Sequence, residues 1–282
     1  MRVLALLDGT IVDHRSPLLR PDDLGVVRGD GIFETILVVR GKAREVGPHL
    51  DRLERSGRMM EMTLPAREEW ERGVTAVIDN WPWETHPEMA LKLVCTRGID
   101  EGDGTPTAYA MGSPVGEDTY RKRTDGVAAI TLERGYSPEI VDRAPWLLLG
   151  AKTLSYAVNM AAMREARSRG ADEVVFTATD GTVLEGPTAT VIIGHGKTLT
   201  TPPPHLGILP GTTQGAVFRA AEKAGWTTRV ASFPVEDLYR ADSVWVTSSV
   251  RAITQVHTLD GVSLRTDPRL HSELVDVYEA EY

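Results

Sequence analysis

Residues 146–163 read Trp-Leu-Leu-Leu-Gly-Ala-Lys-Thr-Leu-Ser-Tyr-Ala-Val-Asn-Met-Ala-Ala-Met, a stretch in which Lys152 is the only charged side chain. Its apolar composition predicts a buried segment that enters a helix just after the lysine. Burial disfavours the charged form of an amine, and a neutral lysine is a nucleophile that can condense with a carbonyl group and carry protons. The alternative is a structural lysine that extends to water or pairs with a carboxylate. Lys152 is therefore a candidate reactive amine.

The composition indicates a soluble globular protein of the cytoplasm. The chain has 282 residues, 41% hydrophobic and 25% charged, which is enough for two domains with their own cores. No apolar run approaches the roughly 20 residues of a membrane span, and the N-terminal run is too short for a signal peptide. A single cysteine, Cys95, excludes an internal disulfide and a thiolate metal site. The net charge of −9 opposes binding to nucleic acid or anionic lipid, so basic residues are expected to bind a small anion.

Strand and helix patterns occur in an irregular mixture along the chain. Hairpin-rich strands mixed with helices favour an α+β fold over a doubly wound parallel sheet. The clearest predicted elements are a strand over 32–39 and helices at about 49–62, 68–80, 154–168 and 213–224. A polar, glycine-containing stretch is the best candidate for a linker. We therefore predict an N-terminal domain over 1–115, a linker over 116–126, and a C-terminal domain over 127–282 that carries Lys152.

A second candidate feature is an anion-binding loop. Gly211, Thr212 and Thr213 stand where a loop becomes a helix, so backbone amides, two hydroxyl groups and the helix dipole converge there. This arrangement suits a phosphate, although threonine is also an ordinary helix N-cap. The chain has no Walker motif, and the residues after Gly29 lack the spacing and the helix of a dinucleotide fingerprint. These motifs argue against a nucleotide, and the loop alone leaves a phosphate site and an ordinary N-cap both open.

Two charged side chains could complete such a site. Glu185 ends an apolar strand pattern and, if it points inward, needs a cationic partner such as a protonated pyridine nitrogen; the alternative is an exposed hairpin glutamate. Arg52 could bind the phosphate or lie on a solvated helix face. His49 is expected to pack or cap a helix rather than to bind a metal. Ser155 lies near Lys152, but the motifs of serine hydrolases are absent.

Pyridoxal 5′-phosphate (PLP) chemistry would use all of these parts together: a lysine, a phosphate-binding loop, a carboxylate for the pyridine nitrogen and an arginine. Six segments in chain order also resemble one family, namely Arg28-Gly-Asp-Gly-Ile-Phe-Glu-Thr35, His49-Leu-Asp-Arg-Leu53, Ala151-Lys-Thr-Leu-Ser-Tyr156, Asp180 to Gly186, Leu209-Pro-Gly-Thr-Thr213 and Thr247-Ser-Ser249. On these segments the chain resembles the class IV aminotransferases, which are fold-type IV PLP enzymes. They include aminodeoxychorismate lyase, D-amino-acid aminotransferase and branched-chain aminotransferase.

The resemblance implies a small N-terminal α/β domain and a larger C-terminal pseudo-barrel, with PLP in the cleft between them and a homodimeric assembly. It implies that Lys152 forms the Schiff base with PLP and that Glu185 faces the pyridine nitrogen. The remaining implied cofactor contacts are Arg52, Tyr156, Thr212, Thr213, Ser248 and Ser249. Phe33, Glu34 and Arg97 are the candidate substrate contacts, and no metal ligand is expected.

The shared motifs leave two reactions open after a proton is removed next to the substrate amine. A transaminase returns a proton to the cofactor and releases a keto acid, whereas aminodeoxychorismate lyase eliminates pyruvate and forms 4-aminobenzoate for folate biosynthesis. The segment after Arg97 carries acidic Asp100, Glu101 and Asp103 where D-amino-acid enzymes usually have an Arg-x-His motif, and the second arginine of many lyases is absent too. The segments around Lys152 and Phe33 look most like the lyase, which is our prediction. An aminotransferase of the D-amino-acid or branched-chain type and a non-catalytic small-anion-binding protein are the alternatives.

Overall fold

The computed structural model describes residues 1–100, 102 and 104–282, so the predictions that concern Glu101 and Asp103 lie outside the described residues. Contacts divide the chain into two compact units. The first unit comprises residues 1–116 and 151–156, and the second comprises residues 117–150 and 157–282. None of the helices in the described part of the chain is both long and apolar enough to span a membrane.

The first unit is an antiparallel sheet covered by helices. Its elements are β1 (Val3–Leu6), β2 (Ile11–Val12), α1 (Leu24–Arg28), β3 (Gly31–Val39), β4 (Lys42–Ala43), α2 (Val46–Met59), α3 (Arg67–Asp79), β5 (Glu88–Thr96) and β6 (Ala108–Pro114). The strands lie in the order β2-β1-β6-β5-β3-β4. Ile36 and Leu91 of the central strands are fully buried together with Leu50, Leu53 and Val77 of the helices. This apolar packing fixes α2 and β3, the two elements that position most of the site residues of this unit.

The second unit is a larger mixed sheet with helices around it. Its elements are α4 (Glu117–Asp125), β7 (Val127–Glu133), α5 (Ile140–Arg143), α6 (Ala157–Ser168), β8 (Glu173–Thr177), β9 (Thr190–His195), β10 (Thr198–Thr201), α7 (Thr212–Lys223), β11 (Thr227–Val230), α8 (Val235–Arg240), β12 (Ser243–Ser248), β13 (Ala252–Leu259), β14 (Val262–Ser263) and α9 (Pro268–Glu279). The order β11-β10-β9-β12-β13-β7-β8 includes three parallel pairs, and β14 pairs with β13. The predicted α+β class is confirmed, with parallel pairs as well as hairpins in this sheet.

The interval expected to be a linker, 116–126, contains helix α4. Its first turn is acidic and its last turn basic, and Asp118 pairs with both Arg121 and Lys122 on the helix surface. Charge order therefore stabilises a helix that has no apolar face, which is why hydrophobic periodicity did not predict it. The exact domain boundaries stay a prediction.

The expectation that residues 146–163 form a buried stretch is wrong. Trp146 is 74% exposed and Val158 60% exposed. The stretch is not one element, because a 3-10 turn ends at Leu148 with a left-handed φ of +52° and α6 begins only at Ala157. Lys152 itself is half-buried and lies in the short segment 151–156 that packs with the first unit.

Candidate active site

Lys152 lies in an extended segment that continues the edge of β3. The segment forms an antiparallel bridge with β3 at Ile32, and the amide of Phe33 donates a hydrogen bond to the Lys152 carbonyl at 3.1 Å. On its other edge, the Lys152 amide donates to the hydroxyl of Ser56 at 3.0 Å. The backbone of the lysine is therefore held at both its N–H and its C=O, and the amine extends from a fixed point.

The Lys152 amine lies beside two aromatic rings and a phenol. Its Nζ is 4.5 Å from the centroid of the Phe33 ring and 5.6 Å from that of the Tyr156 ring. The same Nζ lies 3.4 Å from the Tyr156 hydroxyl, and the two rings meet edge-on at 5.2 Å. Ring faces attract the ammonium form, and the hydroxyl can hydrogen-bond to either form of the amine. This arrangement holds the nitrogen in one place while leaving it a partner for proton exchange.

A buried carboxylate orients Arg52. Glu34 on β3 is completely buried and accepts hydrogen bonds from Arg52 Nε and Nη2, both at 2.7 Å, while His49 Nδ1 lies 2.8 Å from its second oxygen. Burial alone would raise the pKa of Glu34, but the charge and hydrogen bonds of Arg52 and the bond to His49 lower it well below its usual range. Burial lowers the pKa of His49 despite the raising effect of Glu34. The resulting cluster is a neutral imidazole and a bidentate ion pair inside the first unit.

Two of the predicted substrate contacts, Glu34 and Arg97, bind other residues of the first unit. The Glu34 side chain is fully buried, and its oxygens bind Arg52 and His49. Arg97 donates from Nε to Asp30 at 3.0 Å and from Nη2 to the carbonyl of Met60 at 2.6 Å, so it ties β5 to the end of α2. The partners of both side chains lie far away in the sequence, and a substrate contact by either residue stays a prediction. Phe33 does lie next to the Lys152 amine, so it stays a candidate contact.

Glu185 is half-buried in the second unit, after a short hairpin that follows β8. Its backbone is fixed by a bond from the amide of Phe176 to the Glu185 carbonyl at 2.8 Å, and its Oε2 accepts from the amide of Leu209 at 3.0 Å. The sequence did not single out Tyr136, yet burial and the charge of Glu185 raise the pKa of its phenol to about 12. The Glu185 carboxylate therefore extends from a fixed backbone and has a backbone amide as its hydrogen-bond donor.

The predicted anion loop is the start of helix α7. Gly211 precedes the helix, and the hydroxyl-bearing Thr212 and Thr213 of the first turn are both buried. A Cβ at position 211 would lie 2.3 Å from the hydroxyl oxygen of Thr190, so only glycine allows this approach of the loop to β9. The first amides of a helix have no acceptor within the helix, and the dipole favours an anion there. The predicted start of a helix at this place is confirmed.

Ser248 and Ser249 occupy a tight hairpin turn in the same unit. Ser248 ends β12 and pairs with Ala252 at the start of β13, so the loop between them has three residues. Ala252 is in the left-handed region at φ +54°, a conformation that usually requires glycine. The predicted serines are thus presented by a strained turn.

Each unit, taken by itself, carries donors whose chemistry fits part of PLP. The first unit has a positioned amine at Lys152 and an arginine at Arg52. The second unit has a carboxylate at Glu185 and, for a phosphate, the hydroxyl groups of Thr212, Thr213, Ser248 and Ser249 at a helix start and a turn. These are the groups that PLP enzymes use for the carbonyl, the ring nitrogen and the phosphate of the cofactor.

Comparison with known proteins settles the family. The profile of the family described as aminotransferase class IV matches residues 31–259. The chain belongs to the class IV aminotransferase family. It is 45% identical, over 97% of its own length and 98% of the relative, to the bifunctional aminodeoxychorismate lyase / D-amino acid transaminase of Mycobacterium tuberculosis.

Solved structures of this family share the whole fold. A structure described as a hypothetical aminotransferase from Mycobacterium tuberculosis in a PLP-bound form is 44% identical, covers 100% of both chains and superposes with a TM-score of 0.95. A fold IV transaminase from Curtobacterium pusillum is 36% identical, with 99% of both chains covered and a TM-score of 0.92. The predicted family, the fold-type IV class and the prediction of a PLP-dependent enzyme are confirmed.

Proposed function

We propose that this enzyme is a PLP-dependent lyase that eliminates pyruvate from 4-amino-4-deoxychorismate to give 4-aminobenzoate. The observation that carries the proposal is the relation along almost the full length of both chains to an enzyme named for this lyase activity. Its name also includes D-amino acid transaminase, so transamination of D-amino acids is the second candidate. The third alternative, a non-catalytic anion-binding protein, is set aside because the family consists of enzymes.

The lyase and the transaminase both need a base at Lys152. PLP supplies an electron sink for the bond that breaks next to the substrate amine. Lys152 would hold the cofactor through its Nζ, and the same nitrogen would take the proton from the carbon next to the substrate amine. The Tyr156 hydroxyl, 3.4 Å away, would hold the amine toward this proton and keep a hydrogen bond to it after transfer. The position of Phe33 against the same nitrogen limits where the amine can swing.

The other proposed roles follow from charge. Glu185 would face the pyridine nitrogen and keep it protonated, and the hydrogen bond from the Leu209 amide would orient its carboxylate. Arg52, oriented by Glu34, and the hydroxyl groups of Thr212, Thr213, Ser248 and Ser249 would bind the phosphate. These assignments explain why a buried Glu34 lies behind Arg52, since a fixed guanidinium binds a phosphate with less loss of side-chain entropy.

We also propose a homodimer working in the cytoplasm as part of folate biosynthesis. Each unit exposes large apolar side chains that a partner could cover: Val26 and Val27 in the first unit, and Trp146, Leu147 and Val158 in the second. We propose that a partner subunit covers these side chains, because contiguous apolar surface marks interaction sites.

One set of assays tests the reaction. The purified holoenzyme would be incubated with 4-amino-4-deoxychorismate, and separately with D-alanine, L-leucine and 2-oxoglutarate, while the Lys152→Ala variant supplies the background. Release of 4-aminobenzoate and pyruvate above that background supports the lyase. Rapid amino transfer from D-alanine with no 4-aminobenzoate would refute it in favour of the second candidate. Amino transfer from L-leucine alone would indicate the branched-chain type.

A further inference from the structure

The hairpin turn of Ser248 and Ser249 is held from outside by an arginine of helix α4. Arg123 donates from both Nε, at 3.1 Å, and Nη2 to the carbonyl of Val250 at the tip of the turn. Its guanidinium also lies 5.3 Å from the ring centroid of Tyr120 on the same helix. A carbonyl that receives two N–H groups of one guanidinium is fixed in direction as well as in place.

The position of α4 leaves the arginine little freedom. Helix α4 is followed directly by Gly126, which has φ +77°. A Cβ there would lie 2.7 Å from the carbonyl oxygen of Gln255, so the helix end sits directly on β13. The residue that follows, Val127, pairs with Val256 of the same strand. The helix, its arginine and the turn at the start of β13 are therefore parts of one rigid arrangement.

The turn needs such support because its backbone is unfavourable. Ala252 is left-handed at φ +54°, and a non-glycine residue in this region persists only when its surroundings impose it. Arg251, which follows Val250 in the loop, is anchored separately. It forms an ion pair with the fully buried Glu173 and a contact of 3.4 Å to Thr188. Two consecutive residues of the loop 249–251 are therefore fixed. Arg123 holds the carbonyl of Val250, and Arg251 is held through its own side chain.

From this geometry we propose that Arg123 is a positioning residue for phosphate binding: by fixing the Val250 carbonyl it sets the direction in which Ser248 and Ser249 meet the phosphate of the cofactor. The inference rests on the proposed function, in which these serines bind that phosphate. Arg123 itself does not touch the cofactor in this scheme. Arg123 would act only through the turn. Substituting Arg251, the second anchor, would be a poor test because it leaves Glu173 as a buried unpaired charge.

The test distinguishes binding of the cofactor's phosphate from binding of its ring. Equilibrium dialysis of the apo full-length protein measures the dissociation constants of PLP and of pyridoxal, which lacks the phosphate, for wild type, Arg123→Met and Arg123→Lys. We expect Arg123→Met to lower the preference for PLP over pyridoxal by about tenfold, since a well-aligned hydrogen bond to a charged group is worth at least that much, with pyridoxal binding unchanged. Arg123→Lys keeps one donor group, so its preference for PLP over pyridoxal should lie between those of wild type and Arg123→Met.

Arg121→Met is the matched control. Arg121 is on the same helix two residues away, but it is exposed and pairs with Asp118 and Asp172 at the surface, so its loss should leave the preference at the wild-type value. An unchanged preference in Arg123→Met, or an equal weakening of PLP and pyridoxal, would overturn the inference. A wild-type protein that binds both ligands equally well would instead contradict the proposed phosphate site itself, so the two failures can be told apart.

Discussion

Replacing Glu34 by glutamine should destabilise the protein strongly, although the side chain keeps its size. The substitution removes the charge that Arg52 and His49 surround in a fully buried position. Breaking one side of a buried ion pair costs about 3–5 kcal/mol, and the remaining amide oxygen recovers about 1 kcal/mol through one hydrogen bond. The free energy of unfolding should therefore fall by about 2–4 kcal/mol, which lowers Tm by roughly 3–7 °C in a protein of this size.

Two variants make the Glu34 measurement decisive. Glu54→Gln changes a glutamate of α2 whose partners, Arg58 and Arg67, are on the surface, and it should leave Tm close to wild type. The double variant Glu34→Met with Arg52→Met should recover much of the lost stability, because apolar side chains can replace a buried ion pair, while phosphate-dependent cofactor binding stays weak. Thermal unfolding of the apo proteins is the assay. A Glu34→Gln protein that unfolds at the temperature of the Glu54→Gln protein would refute the reasoning.

Three further predictions follow from the same contacts. Borohydride reduction of the PLP-loaded enzyme should fix a pyridoxyl group on Lys152, detected by peptide mass spectrometry, and labelling elsewhere alone would contradict its role. Because burial lowers the pKa of His49 below its ordinary value of 6.5, protonation favours the unfolded state; stability should fall as pH drops through 6.5, and a His49→Gln variant that shows the same slope in pH-dependent unfolding would disprove this source. Asp23→Ala should cost about 2–3 kcal/mol in denaturant unfolding, since the buried carboxylate accepts from the Gly25 amide and from two threonine hydroxyl groups, whereas Asp23→Asn should cost less; equal losses would show that hydrogen bonding is not the cause.

Local signals in the sequence predicted the parts of the site that depend on local structure. Gly211 followed by two threonines favours a helix start, and α7 begins at Thr212 as expected. The lysine was likewise expected just before a helix, and α6 begins five residues after it. The combination of these local features carried the resemblance to the family.

Long-range partners could not be predicted from the sequence. Glu34 lies in a predicted strand, but the residues that bind its carboxylate, His49 and Arg52, come from the next helix. Arg97 meets Asp30, 67 positions earlier in the chain, and no local pattern reveals that pair. The position of Arg123 could not be predicted for a different reason. Helix α4 is stabilised by surface charges and by its contact with β13, and neither produces the apolar periodicity by which a helix is recognised.

The short segment 151–156 has a consequence for how the protein is made. The edge of β3 at Gly31 and Phe33 exchanges backbone hydrogen bonds with Leu154 and Lys152, so the first unit is completed only by residues that the ribosome adds after residue 150. A nascent chain released at residue 116 would expose that edge unpaired, and a fragment beginning at residue 117 would carry the lysine without its supporting strand. The backbone contacts that position the Lys152 amine thus form late in synthesis. Expressing the two units as separate halves would separate Lys152 from β3.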